Sequence, residues 1–482
     1  MATPPTSAPP APELTGTQRL VRWAIVLLAG AVVLLWPRPA AVAPAGWRLL
    51  AIFVATVVGL IAQPVPMGAM AVLAITVAAI TKTVTAQVAL SAFAHPVIWL
   101  IVAAFLFARA VSSTGLGRRI AFLFVCRFGS STLRLGYALA GADFVVSPFI
   151  PSDTARAGGI IFPIARSLAE SYGSHPGETA RRLGAYLMQC AYHVGCTTAA
   201  IFLTSMAANP LAAEFARKFA QVEITWLAWA RASSLPAAIS LLVLPWLIYR
   251  LDRPELTRTP EAAQLARREL KAMGPMTARE QRLVLVLLAV IAGWVAQPWH
   301  GLHPAVIAYG GVSLIVLFGV ICWEDVLAER RAWDAFIWFG GLVMMADGLN
   351  ATGVIRSFTD SLSAGLQGLS WLAALVLLVL AYTYVHYGFA SMTAHITALY
   401  PPFLLLAVTG GAPGLLAALA LAYFSNLNAS LTHYGTGPAP IFFGSGYVPL
   451  VTWWRVGFLV VVFQLLVWLG VGLLWWRFLG LW

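Results

Sequence analysis

The sequence predicts an all-α polytopic membrane protein of about 11–12 transmembrane helices plus two re-entrant hairpins, the chain being an internal duplication. Three observations predict it. Hydrophobic residues make up 60% of the chain and charged residues 10%, where a soluble domain carries about 25% charge. Two short polar stretches, Ser152-Asp153-Thr154-Ala155-Arg156 and Ser391-Met392-Thr393-Ala394-His395, share the pattern Ser-x-Thr-Ala-basic at a separation of 239 residues. Landmarks around them recur in the same register. Ile98-Trp99 returns as Ile337-Trp338, Thr114-Gly115 with Arg118 as Thr352-Gly353 with Arg356, and Gly195 before Ile201-Phe202 as Gly435 before Ile441-Phe442.

The mean hydropathy of +0.83 and the many charge-free windows argue for repeated crossings of a lipid bilayer. The net charge of +12 is explained by basic cytoplasmic loops, so no nucleic-acid partner is expected. Cys126, Cys190, Cys196 and Cys322 show no C-x-x-C pairing and are expected to be small packing residues.

In chain order, residues 1–18 form a tail rich in Pro, Ala and Thr, expected to be disordered. Arg19 and Arg22 precede the first apolar run, which places the N-terminus in the cytoplasm. The first repeat covers 19–249, with apolar runs near 23–36, 47–62, 67–80, 97–112, 119–127, 134–150, 184–206 and 226–249 and a hairpin tip at 152–156. Residues 250–282 carry eight bases against five acids, as a solvated cytoplasmic linker with an amphipathic helix near 261–272 would. The second repeat, 283–482, has runs near 283–298, 304–321, 334–349, 367–384, 396–408, 412–424 and 455–479, with its tip at 391–395. An inverted arrangement is the usual one where substrate is held near the midplane.

A helix broken at membrane depth must face protein or a water-filled cavity, because unpaired backbone in hydrocarbon is costly. Ser152, Thr154, Ser391 and Thr393 offer hydroxyls at the two tips, and the helices that start there aim N–H groups and positive dipole ends at one place, which suits an anion. The alternative use of these residues is simple helix capping. Arg156 and His395, each four residues after the leading Ser, are expected to supply positive charge, either to a dianion or where a symporter would bind a metal ion. A local Arg156–Asp153 pair and a helix-contact histidine are the structural alternatives. The third element is Cys190 to Pro210 in the first half and Asn426 to Pro449 in the second, each expected to hold an unwound helix, with an extramembrane loop as the alternative. Thr432, His433, Gly435, Thr436 and Gly437 form it strongly in the second, and His193, Gly195, Thr197 and Thr198 more weakly in the first. Arg109 and Asp347 are expected to snorkel to the interface. His300-Gly-Leu-His303 lacks the acids or cysteines that a metal site needs. No H-E-x-x-H pattern supports an intramembrane enzyme.

On the two Ser-x-Thr tips, the Gly158-Gly159 pair and the run from Leu431 to Gly444, the chain from about residue 45 onward resembles the divalent anion:sodium symporter family. The resemblance is to the branch of citrate/succinate antiporters and chloroplast 2-oxoglutarate/malate translocators. It implies a homodimer whose protomers each have a scaffold domain and a mobile transport domain, working by an elevator movement. It implies substrate carboxylates gripped by Ser152, Asp153, Thr154, Arg156, Ser391, Met392, Thr393 and His395, no cofactor, and sodium beside each tip in coupled members. Sodium here would use Ser152, Asp153 and Gly195; no other metal site is expected. Asp153 and Met392 replace the family's usual Asn. Asp153 is resolved by pairing with Arg156, by proton coupling, or by forming a cation site. The expected function is exchange of di- or tricarboxylates across a bacterial inner membrane, with sodium-coupled dicarboxylate uptake as the alternative.

Overall fold

A computed structural model describes residues 15–363 and 368–482, so most of the expected tail lies outside the described residues. Gly16–Gln18 are already helical, because Thr15 and Gln18 form a reciprocal capping box. Along the chain run α1 (Gly16–Leu35), α2 (Pro44–Ala62), α3 (Met67–Ile80), α4 (Ala86–Ser91), α5 (Pro96–Thr114), α6 (Leu116–Phe128), α7 (Thr132–Val146), α8 (Phe162–Ser171), α9 (Gly184–Ile201), α10 (Ala208–Ala220) and α11 (Trp226–Leu251). Then follow α12 (Pro260–Met273), α13 (Ala278–Val295), α14 (Gln297–His300), α15 (Pro304–Leu317), α16 (Trp323–Ala328), α17 (Arg330–Ala351) and α18 (Val354–Ser363). The last are α19 (Trp371–Val385), α20 (Met392–Thr409), α21 (Gly414–Leu427), α22 (Ala439–Gly444), α23 (Leu450–Leu465) and α24 (Gly472–Phe478). Among the described residues the one β-type pairing is an isolated bridge between Ser131 and Arg258. Among the described residues, eight helices are long and apolar enough to cross a membrane.

The chain divides into two compact units that do not follow the halves: 1–92 with 337–354, and 93–336 with 355–482. The smaller is built on close helix crossings at small residues, as lipid-embedded packing requires. A Cβ on Gly46 would lie 2.5 Å from Thr352, and one on Gly348 would lie 2.3 Å from Leu49. Helix α1 leaves Leu27, Leu28 and Leu35 exposed, the outer face expected of a span bathed in lipid.

In the larger unit, α5 ends on Gly115 at φ +78 and α6 begins there. The landmark glycine of the second half, Gly353, takes φ +76 before α18. Both tolerate the left-handed turn for want of a Cβ. Helix α9 is buried along its whole length. The first broken stretch falls after it, at 202–207, inside the expected element of 190–210, while His193, Gly195, Thr197 and Thr198, named as its polar residues, stay within α9. Those residues stay helical; the Thr197 hydroxyl bonds back to the His193 carbonyl and the Thr198 hydroxyl lies against the Gly195 carbonyl, both at 3.0 Å, so neither side chain interrupts the ladder. The second break, 432–438, lies where it was expected, after a 3-10 turn at Asn428–Leu431.

The linker is less free than its charge suggests. Ala262 and Ala266 of α12 are buried, and the Thr259 hydroxyl donates to the Gly129 carbonyl at 3.0 Å. Arg119 reaches Glu280 at 2.7 and 3.2 Å and the Gly274 carbonyl at 2.9 Å. Burial opposes the Glu280 charge, but the bonds from Arg119 and from Thr277 outweigh it and hold the pKa below its usual value. A depressed carboxylate pKa stabilises the fold above the ordinary value, and that stability is lost as pH falls through the lowered one. The melting temperature in detergent is therefore expected to fall between about pH 6 and 3. Glu280→Gln should flatten that dependence, and an unchanged slope in the variant would remove the clasp from the explanation.

Cys322 is exposed, and its thiol lies 3.2 Å from Asp325 at the start of α16, so it is not a packing residue. Arg109 does not snorkel freely; it pairs with Asp325 at 2.8 Å. The side chains of His300 and His303 accept bonds from the Leu302 and Ala305 amides, as turn and cap residues do.

Candidate substrate site

The two tips are built alike. The Ser152 hydroxyl accepts from the Ala155 amide at 3.2 Å, and the Ser391 hydroxyl from the Ala394 amide at 3.4 Å. The Arg156 and His395 amides donate to the carbonyls of Ser152 and Ser391 at 2.9 and 3.0 Å. Both leading serines therefore do act as caps. Their hydroxyl protons remain available to a ligand, and Ser152, Asp153, Thr154, Ser391 and Thr393 are all half-buried. The limb after the first tip is a π-helix, Thr154–Ile161, holding the Gly158-Gly159 pair. Such widened turns are found at functional sites. The limb after the second is the regular helix α20.

Behind the first tip lies Arg156, fully buried. Its Nε donates to Asp143 at 3.0 Å. One terminal nitrogen donates to the carbonyls of Ile150 and Ser205 at 3.1 and 2.7 Å, and the other to the Gly195 carbonyl at 3.3 Å and the Thr198 hydroxyl at 3.2 Å. Thr198 also bonds Asp143. A desolvated guanidinium is tolerated only with its donors satisfied and its charge paired, and here both conditions hold. The ion-pair partner is Asp143 on α7, not Asp153. From the first turn after the tip, the Arg156 side chain runs back to α7 and α9.

Asp153 is held elsewhere. One carboxylate oxygen accepts from the Thr154 amide at 2.8 Å and the other from the Thr436 hydroxyl at 2.5 Å. A Cβ on Gly437 would lie 2.1 Å from the Thr154 hydroxyl. The first tip thus abuts the second broken stretch. The second hairpin meets the same stretch through the turn before its tip, because His386 Nε2 lies 3.0 Å from the Gly435 carbonyl and Tyr434 donates to the Tyr387 carbonyl at 2.9 Å. Residues 434–437 therefore bridge the two hairpins. Gly457 lets α23 close over this region, since a Cβ there would lie 2.2 Å from the Ser430 carbonyl.

Other expected site residues fall further off. Thr197 accepts from Gln464 at 2.8 Å within a buried network with Ser240 and Trp468. Met392 is buried, and its side chain packs. His433 accepts from the Trp454 indole at 3.1 Å. Thr432 is buried with its hydroxyl unpartnered among the described residues, and His395 Nε2 and both amide atoms of Asn428 are in the same condition.

Asp143, His386 and Asn428 were not singled out from the sequence. Asp143 and His386 each stand in or beside an apolar run shortly before a tip, and an ionisable group at such depth was a usable signal. Asp143 also has Tyr382 at the matching offset of 239 residues. In the second half the ring of Tyr382 meets His395 edge-on at 4.3 Å, where the first half has the Asp143–Arg156 pair.

Comparisons with known proteins fit this architecture. The profile of the family described as the sodium:sulfate symporter transmembrane region matches residues 17–482. The Bacillus subtilis (strain 168) protein YflS, a candidate malate transporter by its name, is 45% identical over 465 residues, covering 96% of this chain and 97% of its own length. Spinach (Spinacia oleracea) chloroplast dicarboxylate transporter 1 is 44% identical over 459 residues, 95% of this chain and 81% of that protein. The crystal structure of the Alcanivorax borkumensis YdaH transporter is alike in fold, with a TM-score of 0.53 at 12% identity over 96% of this chain and 97% of that one. The chain belongs to the sodium:sulfate symporter family and is a multi-pass membrane transporter, not an enzyme.

Proposed function

We propose that the protein exchanges dicarboxylates, of the malate, succinate or 2-oxoglutarate type, across a bacterial inner membrane without sodium. Carboxylate transport rests on the relatives named for malate and dicarboxylates. Sodium independence rests on one observation. Three backbone carbonyl oxygens, of Ile150, Gly195 and Ser205, converge on a single cation, and that cation is the Arg156 guanidinium. Carbonyl oxygens of that kind would ligate sodium at a broken helix in a coupled transporter. Here Gly195, the candidate sodium ligand, is already engaged by a fixed charge that cannot leave.

In this reading the two tips face one substrate, and residues 152–154 and 391–393 supply hydroxyls and amides to its carboxylates. The halves are inverted repeats, 19–249 and 283–482, joined by the cytoplasmic linker 250–282, with the N-terminus on the same side. Homodimers work by an elevator movement of the domain that carries the tips. The same order of elements in both halves and the common register of Gly115 and Gly353 support this assignment.

The test is uptake of labelled malate into proteoliposomes with no sodium on either side. Uptake is expected only when unlabelled dicarboxylate is loaded inside. Uptake that needs external sodium and no internal substrate would replace exchange by symport and make Asp153 the first residue to mutate.

A further inference from the structure

His395 was expected to be a fixed cation, and its hydrogen bonds indicate a conditional one. A carbonyl oxygen only accepts, so His386 presents Nε2–H to the Gly435 carbonyl 3.0 Å away. A neutral imidazole has a single N–H, so Nδ1 of His386 is a lone pair. His395 Nδ1, 3.1 Å from it, is then the donor. This leaves Nε2 of His395, which is buried and has no partner among the described residues. It is the one position in the relay where a proton can be gained without breaking a bond.

Its surroundings are short of charge. The titratable side chains against the His395 ring are His386 and Tyr382, and the Tyr382 hydroxyl is bonded to Ser425 at 2.8 Å. A third ring against it is Phe389, 5.0 Å away. Two further side chains with unpartnered polar atoms, Asn428 and Thr432, lie close by. The 3-10 turn His386–Gly388 packs on Asn428–Leu431, whose Asn428 amide is unsatisfied. His386 Nε2 and the free Thr432 hydroxyl each lie 2.8 Å from the point a Cβ on Gly435 would occupy. Unsatisfied buried polar groups are costly, and several together mark a place that a polar ligand completes.

We propose that a dicarboxylate binds at the second tip together with one proton, held between His395 Nε2 and a carboxylate oxygen, and that His386 is the residue that positions it. The proton comes from solvent and adds to the Nε2 lone pair. The imidazolium so formed donates to the carboxylate, no covalent bond breaks in the ligand, and the proton returns to solvent on release. A neutral His395 would instead present a lone pair to an anion. Each ligand carries its proton in both directions, so exchange of like ligands moves no net proton. This rests on the dicarboxylate reading above.

The test is calorimetric titration of the purified protein with succinate, and separately malate, in two buffers of different ionisation enthalpy. Between about pH 7.5 and 9 the ligand carboxyls stay ionised. Uptake of about one proton per ligand is expected, with affinity weakening by up to about tenfold per pH unit. His395→Gln should abolish both the uptake and the pH slope. His386→Gln can still donate to the Gly435 carbonyl and accept from His395, so it should keep the uptake, whereas His386→Leu should reduce it. Binding without proton uptake in the wild type, or the same uptake in His395→Gln, overturns the proposal. Absence of any heat with either ligand overturns the dicarboxylate reading itself, and the proposal with it.

Discussion

Arg156→Ala is expected to abolish transport. The substitution leaves the buried Asp143 without its counter-charge and strips donors from three carbonyls, of Ile150, Gly195 and Ser205. Removing one partner of a buried pair costs about 3–5 kcal/mol, mostly from stranding the other charge. Part of that loss would appear as a lower melting temperature and part as a first tip that no longer holds its shape. A double variant, Asp143→Asn with Arg156→Gln, separates the two. Neutral hydrogen-bonding groups of similar size should restore most of the stability, because no lone charge remains buried. They should not restore transport, since the fixed positive charge is gone. The check is initial uptake rate in proteoliposomes alongside thermal melting in detergent. Wild-type uptake in Arg156→Ala would sink the assignment of this guanidinium as the clasp of the tip.

Gly437→Ala is expected to be nearly as damaging, for a steric reason. The new methyl would lie 2.1 Å from the Thr154 hydroxyl oxygen and 3.3 Å from its Cβ. Either Thr154 rotates and withdraws its hydroxyl from the tip, or the tip and residues 434–437 separate. Separation strains the Thr436–Asp153 bond of 2.5 Å as well. Overpacking of this kind costs about 1–3 kcal/mol, and misplacing a binding group by about 1 Å costs on the order of a hundredfold in rate. Adding Thr154→Ala removes the clashing oxygen and should recover stability, with transport still reduced for want of that hydroxyl. Equal transport by wild type and Gly437→Ala would show that the contact between tip and broken stretch is not needed for turnover.

The sequence carried a great deal of this. Apolar runs with few charges have one folding solution in a bilayer, so the helical class follows from composition, because the backbone must satisfy itself within each crossing. The paired tips were legible because each joins a capping serine to a basic residue four positions on, inside apolar surroundings. The second broken stretch was legible because two glycines, Gly435 and Gly437, crowd with Thr432 and His433 just before Pro438, a poor sequence for continuing a helix. The first falls within the expected 190–210, but the polar residues named for it stay helical. Thr197 and Thr198 look like helix breakers in a list of residues, and only the structure shows their hydroxyls turned back onto α9.

By itself, then, the sequence determined the helical membrane class and the positions of the two serine-capped tips, since these depend on local composition and spacing. Only the tertiary structure decided which charges meet. Arg156 chooses Asp143 over the nearer Asp153, Thr436 takes Asp153, and His386 meets His395 at 3.1 Å. Partner choice in a low-dielectric interior is set by which groups the packing of separate helices brings within about 3 Å, and sequence distance carries little of that information.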